Sequence, residues 1–520
     1  MNEVTRRGFL AKGMVLGSAA VGSTGREGTP GAAQPRALDL EFSSALHAAD
    51  AIRRGRISSV ELTGLALDRI RRLNPSLKAL AVVDEDAALA DARIADRLLA
   101  SGSTRGSLHG VPVTIKDAFE VAGLRTTAGS PALRDHVPSR DSPAVARLRA
   151  AGAVILGNTN VPFMLGDLQS YNEIYGTTRN PWDLSRTSGG SSGGSAAALA
   201  AGLGHLSLGS DLAGSIRIPA HFCGVYGHKP TADVIPRRGS IPPLPGTPPQ
   251  PSAHLAVGGP MARSAADLEA ALEILGGPDG DDAAAWSWRL PPARGRRLTD
   301  HRVGYVLDDP HCRVTAEVEG VLARSVESLR QAGLRLEEGW PDGVDPRQHY
   351  ETYRYLLSAC FAWSLEDEKA EEVRARGAQP ENAPWNGASR AWTDPHKDFQ
   401  EASSERLAAR AAWQEYFRSH DAFLMPASFV TAFPHDHSEP QEKRSLATPD
   451  GPRAYPDLMF WPSFATLAGL PATTAPLGVS SSGLPVGIQI VGPYLEDATP
   501  IHLAEQIADV IGGFRAPSGY

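Results

Sequence analysis

The chain has 520 residues, 42% hydrophobic and 21% charged, the balance of a soluble protein with a sizeable buried core. Lys and Arg number 51 against 59 Asp and Glu, a formal net charge of −8, and no basic block occurs, so the electrostatic footprint of nucleic-acid binding is missing. No apolar run approaches the roughly eighteen residues of a membrane-spanning helix, so no membrane anchoring is expected.

The N-terminal stretch "TRRGFLAKGMVLGSAAVGSTG" sets Arg6 and Arg7 ahead of Phe9, Leu10 and a weakly apolar run from Met14 to Val21. With small residues at Gly31 to Ala33, this order resembles a twin-arginine export signal. Residues 1–33 are expected to be that signal and 34–520 the folded unit, with the protein exported to the periplasm or beyond the cell. Cys223, Cys312 and Cys360 are too scattered for a disulfide framework and are expected to be buried, apolar thiols.

From Ser58, "SSVELTGLALDRIRRL" joins a capping box (Ser58, Glu61) to apolar residues Val60, Leu62, Leu65, Ile70 and Leu73, which predicts an amphipathic helix. "GVPVTIKDAF" alternates, with Val111, Val113 and Ile115 on one face and Thr114 and Lys116 on the other. A strand is predicted that buries one face and aims a lysine from the opposite one. "AVARLRAAGAVILGNTN" reads as helix, turn and strand, and "RNPWDLSRTS" as a loop.

Beyond Pro230, "PRRGSIPPLPGTPPQPSAH" is too rich in proline for regular structure. Residues 348–417 are helical in pattern and carry Tyr350, Tyr353, Tyr355, Phe361, Trp363, Trp385 and Trp392. "GLPVGIQIVG" predicts another strand and "ATPIHLAEQIADVI" a closing helix. No repeat or break divides the chain, so one domain is expected.

The stretch "TSGGSSGGSAAALA", Thr187 to Ala200, has the composition of a flexible linker. It nevertheless lies between a βα unit and a strong helix former. A phosphate loop would need a lysine at the end of its glycine pattern, and none is present. Gly189-Gly190-Ser191-Ser192-Gly193 satisfies G-x-S-x-G, the nucleophile elbow of α/β-hydrolase esterases, but an elbow requires a buried strand immediately before it.

The run from Thr187 to Thr231, which includes "SDLAGSIRIPAHFCGVYGHKPT", closely resembles the amidase signature family together with "GVPVTIKD". The resemblance extends through "TTAGS", "GNTNVP", "YNEIYGTTRNPWDLSRT", "GGPMARS", "AFPHDHS" and "GLPVGIQIVGP", over roughly residues 40–510. It implies an α/β fold in which a large mixed β-sheet is covered by helices on both faces. It also implies hydrolysis of a C–N acyl bond in a small-molecule amide, without metal or cofactor. "LQSYNEIYGTTRNPWD" and "GSIPP…PGTPP" look nearest to bacterial members that include cyclic-amide (nylon-oligomer) hydrolases. A homodimer is the assembly left open.

Amide hydrolysis needs a nucleophile, a proton shuttle and donors for the tetrahedral oxyanion. By resemblance, Ser215 in "AGSIR" matches the acyl-forming nucleophile and Ser191 a bridging serine held in a cis peptide. Lys116 in "TIKD" matches the terminal base, and the backbone N–H groups of Leu212, Ala213, Gly214 and Ser215 match the oxyanion hole. A lysine starts near pKa ~10.4, so to act as a base it must be buried where its charge is disfavoured. The family usually has two glycines before the nucleophile. Here they are Ala213 and Gly214, which keeps the N–H but adds a methyl and restricts φ.

Pro434-His435-Asp436-His437 spaces two imidazoles as metal ligands are spaced, although a hydrogen-bonded turn or pocket rim is the expectation. Asp211 and Arg217 flank the nucleophile, and a buried ion pair or hydrogen bonds that fix the loop are the expectation for them. The aromatic segment reads equally as core or as the wall of an acyl pocket. Two alternatives stand beside the amidase: the glutamine-amidase subunit of a tRNA-dependent amidotransferase, and a catalytically silent binding protein on the same scaffold.

Overall fold

The strand predicted at "GVPVTIKD" forms at Pro112–Lys116 and is buried at all five positions, so it lies inside a sheet covered on both faces. A computed structural model describes residues 40–247, 255–361, 367–377, 390–449 and 451–520; the export signal expected at 1–33 and the residues Trp363 and Trp385 lie outside these. In chain order the strands of the central sheet are β1 (Leu80–Val83), β2 (Pro112–Lys116), β3 (Val154–Thr159), β4 (Leu206–Asp211), β5 (Tyr226–Lys229) and β6 (Val257–Ala262). They continue with β7 (Arg302–Tyr305), β8 (Arg335–Glu338), β9 (Ala422–Pro426), β10 (Ala472–Val479) and β11 (Pro485–Val491).

The eleven strands are ordered β1-β3-β2-β4-β6-β5-β10-β11-β9-β7-β8. β2 runs parallel to both β3 and β4, whereas β10 and β11 pair antiparallel, so the sheet is mixed as expected. Alternate side chains of β3 show how both faces are covered. Ile155 packs in the main core with Val113, Ile115 and the helix Ala45–Arg53. Its neighbours Val154 and Leu156 pack with Leu67, Ile70 and Ala197 on the opposite side.

The helix predicted from Ser58 spans Ser59–Leu77, and both halves of the capping box are formed. Leu62, Ala66, Leu67, Ile70 and Leu77 are buried, each large side chain contributing roughly 1.5–3 kcal/mol; Leu65 lies at the edge of the stripe. The helix–turn–strand reading is met by Pro143–Ala150 and β3, and the closing helix by Ala498–Ile511. The aromatic segment contains helices Pro346–Ala359 and His396–Tyr416.

Two expectations are corrected. "RNPWDLSRTS" is a small antiparallel ribbon, Arg179–Asn180 against Asp183–Thr187, and not a loop. The Asn180 side chain closes it, donating to the carbonyls of Thr187 (3.0 Å) and Phe222 (2.9 Å). A strand therefore does precede the Gly-Ser stretch, but one that is only partly buried and lies outside the central sheet. All three cysteines are free, and Cys223 and Cys312 are buried. Cys360 is only half-buried, at the end of a helix where its thiol donates to the Leu356 carbonyl at 3.0 Å.

Candidate active site

Parallel strands β2 and β4 lie side by side and end at the same edge, so their last residues meet where helices begin, the usual place for a site in an α/β sheet. β2 delivers Lys116. β4 delivers Ser210 and Asp211. Helix Gly193–Ala200 starts directly after Ser191 and Ser192, and helix Arg217–Cys223 starts two residues after Ser215, with Ile216 as its N-cap.

Lys116 is fully buried, and its Nζ lies 2.8 Å from Ser191 Oγ, 2.9 Å from Ser210 Oγ and 3.3 Å from the Ser210 carbonyl oxygen. Burial away from water penalises the ammonium and brings its pKa down to about 7, against the opposing pull of the Asp211 charge. Much of the amine is therefore neutral at physiological pH. The Gly190–Ser191 peptide is cis. Position 190 excludes any side chain, because a Cβ there would lie 2.6 Å from the Gln169 amide nitrogen.

The stretch that looked like a linker is held from several sides. Ser170 Oγ donates to the Gly189 carbonyl and accepts from Gly193 N–H, both at 3.0 Å. Ser192 Oγ donates to the Ser210 carbonyl at 3.1 Å, and Ser192 N–H to the Ser215 carbonyl at 3.1 Å. Ser191 and Ser215 line one cavity with Phe119, Met164, Ile241 and Phe361. Lys116, Ser191 and Ser215 are thus brought together, although they lie 24 to 99 positions apart in the chain.

Asp211 and Arg217 form the expected ion pair, both side chains having no exposure. All five guanidinium N–H donors find acceptors: Asp211 twice, the Pro462 carbonyl, Gln489 Oε1 and Thr466 Oγ1. Burial pushes the Asp211 carboxyl up, but the Arg217 charge and its hydrogen bonds outweigh this and hold it at about 2. A group depressed in the folded state adds stability above its unfolded pKa of ~3.9. That contribution is lost as the pH falls toward 2. At neutral pH, Asp211→Asn is expected to cost roughly 3–5 kcal/mol by uncovering a buried guanidinium. Urea unfolding measures this, and a loss under about 1 kcal/mol would contradict the structural role.

The expected four-amide oxyanion hole is narrowed. Gly214 N–H donates to Asp211 Oδ1 at 3.0 Å, and Ile216 N–H to Oδ2 at 3.0 Å. The amides of Leu212, Ala213 and Ser215 donate to no acceptor among the described residues. Gly214 instead supplies conformation: its φ is +94°, and a Cβ would lie 2.7 Å from Pro462 Cγ. Ala213 is outside the left-handed region, so its methyl imposes no such strain.

Three roles at the site were not legible in the sequence. Ser210 beside Lys116 could have been noticed as the residue before Asp211 at a strand end. Tyr353 donates its hydroxyl to the Leu212 carbonyl at 3.2 Å and so braces the nucleophile loop. Gln169 holds the histidine turn, donating to the Asp436 carbonyl (2.5 Å) and accepting from the Asp436 N–H (3.1 Å). The aromatic segment therefore divides: Tyr353 is core and brace, while Phe361 is cavity wall. His437 stacks on Tyr171 with ring centres 3.7 Å apart, on the wall of a second cavity. Among the described residues no group of three or more His, Cys, Asp or Glu is placed to hold a metal ion.

Comparison with known proteins decides the family: the Amidase family profile matches residues 61–500. The chain belongs to the amidase family. This amidase is 34% identical over 487 residues to a glutamyl-tRNA(Gln) amidotransferase subunit of Anaeromyxobacter sp. (strain K), covering 89% of this chain and 94% of that one. It is 31% identical over 521 residues to fatty-acid amide hydrolase 2-A of Danio rerio, covering 92% and 90%. Among solved structures, a 6-aminohexanoate cyclic dimer hydrolase complexed with substrate superposes with a TM-score of 0.73 at 25% identity, covering 92% of this chain and 99% of that one. The amidase is a hydrolase of carbon–nitrogen bonds other than peptide bonds.

Proposed function

We propose that this amidase cleaves small-molecule amides through a serine acyl-enzyme, with Ser215 as nucleophile, Ser191 as proton relay and Lys116 as terminal base. The observation that carries the reading is the 2.8 Å contact between buried Lys116 Nζ and Ser191 Oγ, at the wall of the cavity that Ser191 shares with Ser215. Neutral Lys116 accepts the Ser191 proton as Ser191 accepts that of Ser215, and Ser215 Oγ bonds to the amide carbon. The free amides of Leu212, Ala213 and Ser215 are the donors available to the oxyanion. Collapse breaks the C–N bond, and the amine leaves with the proton returned through Ser191. Water then repeats the sequence on the ester, releasing the acid and Ser215.

Hydroxylamine tests the covalent step. Added during turnover, it is expected to divert part of the acyl product into hydroxamate, in competition with water for one intermediate. Acid as the sole product at every hydroxylamine concentration would contradict an acyl-enzyme. The elbow reading is disfavoured because the strand before Ser191 belongs to a separate ribbon and not to the central sheet, and because Ser191 contacts a lysine. The reading as one component of an amidotransferase draws on the 34% identity to such a protein. Copurification with a second protein from the native host tests it.

Arg6-Arg7 with the apolar run behind them supports export, and we infer cleavage near Ala33. Arg6→Lys with Arg7→Lys keeps the charge but removes the guanidinium pair. The double variant is expected to stay inside a native-like bacterial host while the parent is exported and starts near Gln34. Active parent protein found in the cytosol with its first residues intact would contradict this.

A further inference from the structure

Three acceptors surround the Lys116 amine, and two of them belong to Ser210, a residue that neither gives nor takes a proton in the acyl transfer. Nζ lies 2.8 Å from Ser191 Oγ, 2.9 Å from Ser210 Oγ and 3.3 Å from the Ser210 carbonyl oxygen. Ser210 is itself held in place. Strand β4 carries it between β2 and β6, where it pairs with Gly258. Its carbonyl also accepts from Ser192 Oγ at 3.1 Å, and its N–H donates to Ser192 Oγ at 3.3 Å. The charged groups nearby are engaged elsewhere. Asp117, next to the base in the chain, accepts from the Thr127 N–H and hydroxyl. Asp211 acts on Lys116 but is bound by Arg217, and Lys229 acts on Asp211 in turn. Arg237, on the cavity wall, is acted on by Asp233.

A lysine ammonium has three N–H donors, and the neutral amine has two and a lone pair. With both N–H bonds of the neutral amine on Ser210, the lone pair is left for Ser191, whose O–H donates to it. As the proton crosses, the Ser191 O–H bond breaks and a third N–H bond forms on the same line, while both contacts to Ser210 persist. The base can therefore take up and return its proton without turning, so the site needs no reorganisation at the moment of reaction. We propose that Ser210 is a positioning residue, which aims the Lys116 lone pair at Ser191 by accepting the other two N–H bonds. This rests on the reading of Lys116 as terminal base.

The test is the pH profile of kcat/KM for the full chain, Ser210→Ala and Ser210→Thr. Ammonia release is followed from whichever primary amide the wild type cleaves fastest among acetamide, butanamide, hexanamide and benzamide. Without the Ser210 hydroxyl the buried ammonium loses an acceptor, which penalises the charged form more than the neutral one. Ser210→Ala is therefore expected to move the acid limb down from near 7 by about one pH unit. The plateau is expected to fall at least ~10-fold, in kcat more than in KM. Ser210→Thr keeps the hydroxyl and is expected to keep the limb and most of the plateau. A merely structural role would lower folding stability and leave the limb where it was. A Ser210→Ala limb that does not move, or a Ser210→Thr profile that matches the alanine one, overturns the proposal. The reading of Lys116 as base survives either result provided that Lys116→Met abolishes the limb. A limb that persists in Lys116→Met, or failure of the wild type on every amide, overturns that reading and the proposal together.

Discussion

Ser215→Ala is expected to lower amide turnover by on the order of 10⁴–10⁶, the loss typical of removing a nucleophile whose partners work as a unit. Its stability should change by less than about 1 kcal/mol, because Ser215 Oγ makes no hydrogen bond with the described residues and only that oxygen is removed. Ser191→Ala differs in kind, since it also deprives the buried Lys116 amine of a partner at 2.8 Å. Steady-state rates and urea unfolding of the two variants separate these effects. A Ser215→Ala enzyme retaining a tenth or more of its activity would remove Ser215 from the chemistry.

Lys116→Met should lose several orders of magnitude in kcat/KM, since a positioned base contributes about 10²–10⁴ and Ser191 also loses its orienting partner. The sign of the pH dependence follows from burial. With the pKa brought down to about 7, the neutral base predominates above that pH. kcat/KM should therefore fall about tenfold per unit below it and level off above. Lys229 is also fully buried and brought to about 7, by burial first and then by the Arg217 charge. The variant assigns the limb, because Lys229 remains in place. A residual pH profile with the same limb near 7 in Lys116→Met would transfer it to another group.

The local patterns in the sequence were legible where local physics decides them. The Ser58–Glu61 cap and the 3.6-residue apolar stripe mark the helix Ser59–Leu77, and alternation marks β2. Alternation gives the two faces of β2 but not what covers the second one. There Thr114 donates to Ser207 at 2.9 Å and Lys116 is sealed by Ser191 and Ser210. Those partners lie 75 to 94 residues further on. The ribbon at Arg179–Thr187 escaped notice because its closure depends on the Asn180 side chain, which local propensity reads as a turn former.

For the site, the residue types were legible and their hydrogen-bond partners were not. Lys116, Ser191 and Ser215 were identified through resemblance, since nothing in composition or spacing ties a lysine on one strand to two serines in distant loops. The direction of the Gly214 amide depends on where Asp211 points, and the bracing of Leu212 on a tyrosine 141 residues away. Ser170, which holds both sides of the cis peptide, carries no sequence mark beyond being a serine.

The most direct test of the central claim is the position of a covalent adduct. Full-length enzyme treated with a fluorophosphonate probe, digested and sequenced by tandem mass spectrometry is expected to carry the phosphonyl group on Ser215, in the peptide containing "AGSIR". An adduct on Ser191, or none from an enzyme still cleaving amides, would contradict the assignment of Ser215 as nucleophile.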